Sequence, residues 1–454
     1  MGVVGFEWEA GGGMADESAD VEQDLYLEKV AGIDVAKASG MVCTRVPGRA
    51  VGRRAQRVWQ VPADSASILE LGRELVELGI ERVVMEATGV YWKPFFFLLE
   101  AAGLDCWLVN ARDVKNVPGR PKTDRLDAVW LAKLNERGML RPSFIPPREI
   151  RQLRDLTRTR KTMVEERTRH KQRVEKTLED AQVKLGTVAS DVFGVSGRAM
   201  LDALVAGVRE PKVLAALARG RLIVKKQALE AAFVGNFTDH HAFLVRTELE
   251  SIDHLESQIH ALTARIEAAM AAIDAPGESG ESGHGGTGGR TLAEIARTLT
   301  EIPGIGPDGA QVILAEIGPD MSIFPTPGHL TSWAKLTPRT IQSGNKNTHG
   351  PTGKGNPWLR GALGEAAMSA ARSNTFLGAR YRRIVKRRGH IKALVAIARS
   401  ILTVIWHLIA NPGTHYTDLG PDHHDRFVST ARRTRNLIKQ LEALGHTVTL
   451  TPAG

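Results

Sequence analysis

The sequence predicts an α/β domain at the N-terminus, a long helical arm after it, and an all-α C-terminal domain. Three observations predict this order. Short β-rich runs alternate with helical stretches between Lys29 and Gly138. A heptad-like apolar pattern then occupies the middle of the chain, and the Gly-rich segment Gly277–Gly289 precedes a second set of apolar helices. At 454 residues, two or three separate cores are the natural arrangement.

Residues 1–27 read as a tail, with Met14 offering a second start. Within 28–147, Val30–Val35, Met41–Val46, Arg57–Val61, Arg82–Met85 and Asp105–Val109 read as strands. Ser65–Gly79, Tyr91–Ala102 and Asp124–Arg137 read as helices, so the sheet should be mixed. Pro142, Pro146 and Pro147 close the unit. Residues 148–275 form the arm. Its opening stretch, Arg148–Lys176, is dense in Arg and Lys, so one face is solvated or pressed against a polyanion. Its last stretch carries Val245, Leu249, Ile252, Leu255, Ile259, Leu262, Ile266, Met270 and Ile273, a coiled-coil seam that closes either within the chain or against a second copy. Residues 276–290 form a linker that would loosen the coupling between arm and C-terminal domain. Residues 291–410 make the C-terminal domain, and 411–454 a peripheral tail in which Ala431–Leu444 suits one more helix.

Sixty Lys and Arg face 51 Asp and Glu, a formal net charge of +9, which favours nucleic acid as partner. Two cysteines, Cys43 and Cys106, exclude a disulfide framework and a four-cysteine zinc site, and they fit a reducing, cytoplasmic, nucleoid-associated protein. The apolar segment Ile391–Ala410 is broken by Lys392, Arg399 and His407, so it reads as a buried helix rather than a membrane span.

Four acids occupy element ends. Asp34 ends the first strand in AGIDVAK, Glu86 ends the fourth in VVMEATG, and Asp124 and Asp127 open a helix in KTDRLDA. Strand termini gather active residues in open α/β folds, and residues at i and i+3 share a helix face. Four converging carboxylates repel one another unless a hard cation relieves them, so the set suits Mg2+ or Mn2+ and phosphodiester chemistry. Taken singly, Asp34 can be a surface residue, and Asp124 and Asp127 can cap their helix as in a capping box.

In the C-terminal domain, Ile302–Gly306 followed by Ala310 and Ile313 has a helix-hairpin-helix-like pattern. There Gly304 and Gly306 would expose backbone N–H groups to a phosphate; a tight turn needing positive φ is the other reading. Leu336–Arg360 reads as a polar, Gly-rich loop carrying Arg339, Lys346, Lys354 and Arg360, with Ser343 before Gly344. A serine hydroxyl needs a base or metal to attack phosphate, and no His/Asp pair surrounds Ser343, so an ordinary loop serine stays open. Arg380, Arg382, Arg383, Lys386, Arg387, Arg388 and Lys392 form a dense basic cluster able to grip a phosphate backbone.

Together, GIDVAK, MEATG, the K-T-D-x-x-D-A run at Lys122–Ala128, the PGIGP turn and LTPRxxQSG…GxxGKGNxxLR are specific. From about Val30 to about Trp406 the chain resembles the DEDD transposases of the bacterial IS-one-ten insertion-sequence family, which includes Piv-type DNA invertases. The resemblance implies a RuvC-like, ribonuclease-H-type domain whose acids are Asp34, Glu86, Asp124 and Asp127, and a nucleophilic serine at Ser343. It also implies a recombinase acting on double-stranded donor and target DNA with a structured bridge RNA, as a homo-oligomer, with no membrane partner. Two rivals remain at this level. One is a metal-dependent nuclease or junction resolvase in which water attacks; the other is a non-enzymatic nucleic-acid-binding protein.

Overall fold

The computed structural model describes residues 27–50, 52–86, 89–110, 123–274, 289–338, 340–343, 346–423 and 430–450, without the side chains of 340–343, 346–349, 430–433 and 436. The predicted tail before Leu27, the core of the predicted linker (275–288) and Arg339 lie outside the described residues. Two compact units make up the chain, residues 1–145 and 146–454.

The first unit is a five-stranded sheet in the order β3-β2-β1-β4-β5. β1 (Val30–Val35), β2 (Ser39–Pro47) and β3 (Arg54–Pro62) are antiparallel neighbours. After α1 (Ser65–Glu77), β4 (Arg82–Glu86) joins β1 in parallel; after α2 (Trp92–Ala101), β5 (Cys106–Val109) joins β4 in parallel. The apolar run Val30–Ile33 at the start of β1 reflects a central strand covered on both faces. Ala31, Ile33 and Val35 pack with Ile68, Leu71 and Leu75 of α1 and Phe95, Phe96 and Leu99 of α2. On the other face lies α3 (Asp124–Glu136), whose Ala128 and Ala132 meet Val30 and whose Leu131 and Leu134 meet Val84.

The second unit opens with α4 (Arg148–Asp180), about 50 Å long at the usual helical rise. It runs antiparallel to α9 (Asp239–Asp274): Ile150 and Leu153 pack with Ile266 and Met270 at one end, Val174 and Leu178 with Val245 and Leu249 at the other. The predicted seam is therefore used inside the chain, as a helical hairpin. Part of the cationic face of α4 is paired along this hairpin, Arg167 and Lys171 with Glu256, and His170 Nδ1 with Glu248 Oε2 at 2.5 Å. Four short helices, α5 (Leu185–Val188), α6 (Val195–Val205), α7 (Pro211–Ala216) and α8 (Lys226–Ala232), close its far end around their own core.

Beyond come α10 (Leu292–Leu299), α11 (Pro307–Ile317), α12 (Pro327–Trp333), α13 (Pro357–Arg372), α14 (Phe376–Arg388), α15 (His390–Ala410) and the separate α16 (Thr430–Ala443). Two expectations need correction. The C-terminal domain is not all helical, because β6 (Thr340–Ser343) and β7 (Lys346–His349) pair as an antiparallel ribbon. The linker does not uncouple the arm, because Asp274 at its start accepts the backbone N–H of Leu292 at its end (2.8 and 2.9 Å) and Leu292 packs with Ile266 and Met270. By length and composition α15 could cross a membrane, yet its Ala393, Ile397, Ile401, Leu402 and Ile405 are buried in the domain core.

One buried carboxylate ties the arm to this domain. Glu316, fully buried on α11, takes a forked pair of bonds from Arg158 (2.7 and 2.8 Å) and lies 3.3 Å from Arg154 Nε. Arg154 also donates to the carbonyls of Ala315 and Glu316 (3.0 and 2.7 Å). Asn356 donates to Glu316 Oε2 at 2.6 Å while its own Oδ1 caps α13 through the N–H groups of Trp358 and Leu359. Arg154 and Arg158, which the sequence assigns to solvent or a polyanion, are thus turned inward. Replacing Glu316 by Ala would strand two cations in a largely desolvated contact. The expected loss is about 3–5 kcal/mol of stability, measured by urea unfolding of the full chain. A loss below about 1 kcal/mol, the worth of an exposed pair, would show that the contact is incidental.

Candidate active site

Register places the first two acids side by side. β1 and β4 run parallel, with Val30 opposite Arg82 and Ile33 opposite Met85, so Asp34 and Glu86 are the next pair at the carboxyl ends of both strands. Side chains alternate between sheet faces. Ile33 and Met85 belong to the α1/α2 side, while Val30 and Val84 contact α3. Asp34 and Glu86 therefore share the α3 side.

The direction of α3 brings the second pair toward them. Gly32 is where helix and sheet meet most closely: a Cβ there would stand 2.6 Å from Ala132 N and 2.7 Å from Ala128 O. Farther along α3, Asn135 Nδ2 donates to the carbonyls of Ala31 (3.4 Å) and Arg82 (3.1 Å). Glu136 then reaches Arg45, the residue opposite Val30 in the β1–β2 register. Rising residue numbers on α3 thus meet falling numbers on β1, and its N-terminus points to the carboxyl ends of β1 and β4. From Gly32 to Asp34 is about 7 Å of strand. A helix covers that in roughly four to five residues. Counting back from the Ala128–Ala132 contact, Asp127 arrives near the level of Asp34, with Asp124 one turn beyond.

The cap of α3 is Thr123, whose hydroxyl oxygen accepts the N–H of Leu126 at 3.3 Å. Asp124 is the first helical residue and Asp127 the fourth, so the N-cap position left open to Asp124 by the sequence belongs to Thr123. Asp124 is exposed, Asp34 and Asp127 are half-buried, and Glu86 is buried. Asp34, Glu86 and Asp127 each engage neighbouring groups. Among the described residues, no three His, Cys, Asp or Glu side chains stand close enough to hold an ion together. What converges is the backbone that carries the acids, with oxygen donors suited to a hard dication, rather than a closed coordination shell. Neither thiol contributes: burial pushes Cys43 and Cys106 up to about 12, so both stay protonated.

In the second unit, Ser343 ends β6 and pairs in register with Lys346 at the start of β7. The Gly344–Asn345 pair between two β-prone runs was a hairpin signal that the sequence reading passed over. Lys354 is exposed, whereas Arg360 donates to the carbonyls of Gly353 (2.9 Å) and Lys354 (2.6 Å) and so holds the Gly-rich strap that follows the ribbon. Gly304 has φ +96°, and a Cβ there would meet Ala366 O at 2.4 Å, so the turn needs glycine for conformation and packing. Gly306 caps α11 with open space around it. On α14, Arg382, Arg387 and Arg388 are exposed and Arg383 half-buried; Arg382 also donates to Ser373 O at 3.2 Å. The buried Arg45–Glu136–Arg54 and Arg154–Glu316–Arg158 groups escaped the sequence reading; acids inside the apolar runs LAKLNE and ILAEIG were the available signals.

The close seat of α3 gives a direct test. Gly32→Ala forces the helix off the strand or bends it, with an expected loss of about 1–3 kcal/mol in thermal or urea unfolding. Gly361→Ala, inside α13 with open space where the methyl group would go, is the control and should be neutral or stabilise by up to about 1 kcal/mol.

Comparison with known proteins agrees with this layout. A family model of DEDD transposases of the IS110 type, described as "Transposase", matches residues 31–182, the stretch holding all four acids. A second, described as "Transposase IS116/IS110/IS902 family", matches residues 296–382, the stretch holding Ser343. A Streptomyces coelicolor protein named "Insertion element IS110 uncharacterized 43.6 kDa protein" is 32% identical over 130 residues, 28% of this chain and 31% of that relative. A Sinorhizobium fredii protein named "Putative transposase y4qE" is 30% identical over 151 residues, 33% of this chain and 38% of that relative. The chain thus spans about a third of the length of each of these curated relatives. With two models of one family matching residues 31–182 and 296–382 in order, the chain belongs to the IS110 family of transposases.

Proposed function

We propose that the protein is a DNA transposase that cuts and rejoins phosphodiester bonds at the carboxylate end of its sheet, with Ser343 as nucleophile. The observation that carries this reading is the arrival of Asp34 and Glu86 as register neighbours on the face toward which α3 aims Asp124 and Asp127. The strand order and its change from antiparallel to parallel support the RuvC-like, ribonuclease-H-type reading of the domain. Asp34, Glu86, Asp124 and Asp127 would hold Mg2+ or Mn2+, which when bound supplies positive charge to a displacement at phosphorus.

The chain's own residues do the rest. Ser343 Oγ bonds to the scissile phosphorus as its hydroxyl proton leaves. The P–O bond to the departing nucleoside breaks, and that nucleoside retains a free hydroxyl. Attack by the hydroxyl of a second strand on the phosphoserine reverses these steps and releases the serine, so bond energy is conserved for rejoining. Lys354, Arg382, Arg387 and Arg388 are exposed cations placed to grip phosphates of donor and target DNA, with Arg339, Lys346 and Arg383 of the same motifs assigned with them. The open N-cap at Gly306, beside the tightly packed Gly304, offers backbone N–H groups to a further phosphate. A structured guide RNA and a homo-oligomer in which one protomer's acids serve another's Ser343 complete the reading taken from the family.

The test separates serine from water. Ser343→Ala should abolish both strand exchange of a donor–target plasmid pair and the protein–DNA adduct on denaturing gels, while Asp34→Asn should abolish both as well. Continued cleavage by Ser343→Ala without an adduct would replace this reading by a water-using nuclease. Mixing Asp34→Ala with Ser343→Ala subunits should restore part of the activity; no recovery would refute shared sites.

A further inference from the structure

The end of α3 remote from the acids carries a feature the chemistry does not use. Glu136 is 2% exposed and lies between Arg45 (1%) and Arg54 (7%). Arg45 Nε donates to Glu136 Oε2 at 2.9 Å, and Arg54 Nε stands 2.5 Å from Oε1, off the line of a good hydrogen bond. Arg45 is held in turn by Gln56 Oε1 at 2.8 Å, and the N–H of Leu27 donates to the Glu136 carbonyl at 3.1 Å. Next to it, buried Asn135 bridges the carbonyls of Ala31 and Arg82, one on each of the strands that end in Asp34 and Glu86.

A buried ion pair is a poor device for stability alone, because desolvating the charges offsets most of their attraction; specifying register is its best-attested use. The α3 seat needs such a device. Where it crosses β1 its contacts are Ala128 and Ala132 against Val30, Cys43 and the bare Gly32 backbone, small groups that offer little interlocking along the helix axis, while Leu131 and Leu134 pack with Val84 and Val109 beside Trp107 and Trp130. A slip by one turn would move the helix about 5.4 Å. That would carry Asp124 and Asp127 past the level of Asp34 and Glu86. After such a slip Asp124 and Asp127, or Asn135 and Glu136, would stand where Ala128, Leu131 and Ala132 now pack, and Glu136 would lose both guanidinium partners and Asn135 both carbonyls.

We propose that Glu136, clamped by Arg45 and Arg54 with Asn135 beside it, is a positioning group that sets how far α3 reaches along the sheet and thereby brings its two acids level with Asp34 and Glu86. The inference rests on the carboxylate site proposed above. It assigns the clamp no contact with substrate or ion.

The experiment measures Mn2+ binding to the full chain by electron paramagnetic resonance of the free ion, alongside thermal unfolding. Glu136→Gln strands two arginines and can fail to fold, so the informative variant replaces all three charges by apolar side chains: R45M, R54M and E136L. This variant should unfold at a temperature close to that of the parent, yet bind Mn2+ at least tenfold more weakly and need correspondingly more Mn2+ for DNA cleavage. Equal Mn2+ affinity in the folded triple variant overturns the positioning role and leaves the carboxylate site standing. If the parent protein binds no Mn2+ that Asp34→Asn abolishes, the carboxylate site itself falls, and the inference with it.

Discussion

The close seating of α3 on β1 is the constraint from which the candidate site follows. A helix normally rests on a sheet through side chains on both partners. At Gly32 the strand offers no side chain, and the Ala128 and Ala132 backbone comes within a distance that any Cβ would block. Two residues later on the same strand is Asp34, and one turn earlier on the same helix are Asp124 and Asp127. The geometry that allows the helix down therefore also determines which polar residues are carried toward the carboxyl ends of β1 and β4. The N-terminal end of a helix carries partial positive charge, which eases the approach of two helical acids to two strand acids.

The second unit solves a different problem with similar means. Its ribbon is short and its strap is rich in glycine, so neither would hold a position by itself. Asn356 links the start of α13 to Glu316 on α11, and Arg154 and Arg158 of the arm close the same contact. Arg360 gathers the strap carbonyls of Gly353 and Lys354. Gly355, at φ +60°, lets the strap pass where a Cβ would lie 2.5 Å from Ala334 O. The arm is thus tied through Glu316 to Asn356 at the end of the Gly-rich strap, although about 200 residues separate Arg154 from Asn356 in the chain.

A basic chain invites the assumption that its arginines face nucleic acid. Here they divide by position. Arg45, Arg54, Arg154 and Arg160 have buried or nearly buried side chains paired with acids, and Arg290 donates to the carbonyls of Leu408 and Ile409 at 2.9 and 2.6 Å. Arg382, Arg387 and Arg388 lie exposed on α14, a helix without an acidic residue. Net charge alone counts both groups alike; burial separates the cations that hold the fold from those that face solvent.

The sequence by itself determined the elements whose signal is local. Val30–Val35 was legible because it is short and rich in β-branched residues, which favours a covered strand over a helix. The helices from Ser65 and Asp124 were legible from their apolar positions at helical spacing, while their caps, Asp64 and Thr123, came from the structure. The acids were legible as element ends, and the motifs around them carried the family resemblance. Tertiary structure decided everything that depends on register between distant segments. It chose α4 rather than a second copy as the partner of the apolar seam on α9, because both helices belong to one hairpin. It turned Arg154 and Arg158 toward Glu316, and Arg45 and Arg54 toward Glu136, because a charge finds its partner only after strands and helices are aligned. It also made a ribbon of the stretch around Ser343, where short polar strands carry no hydrophobic period to reveal them.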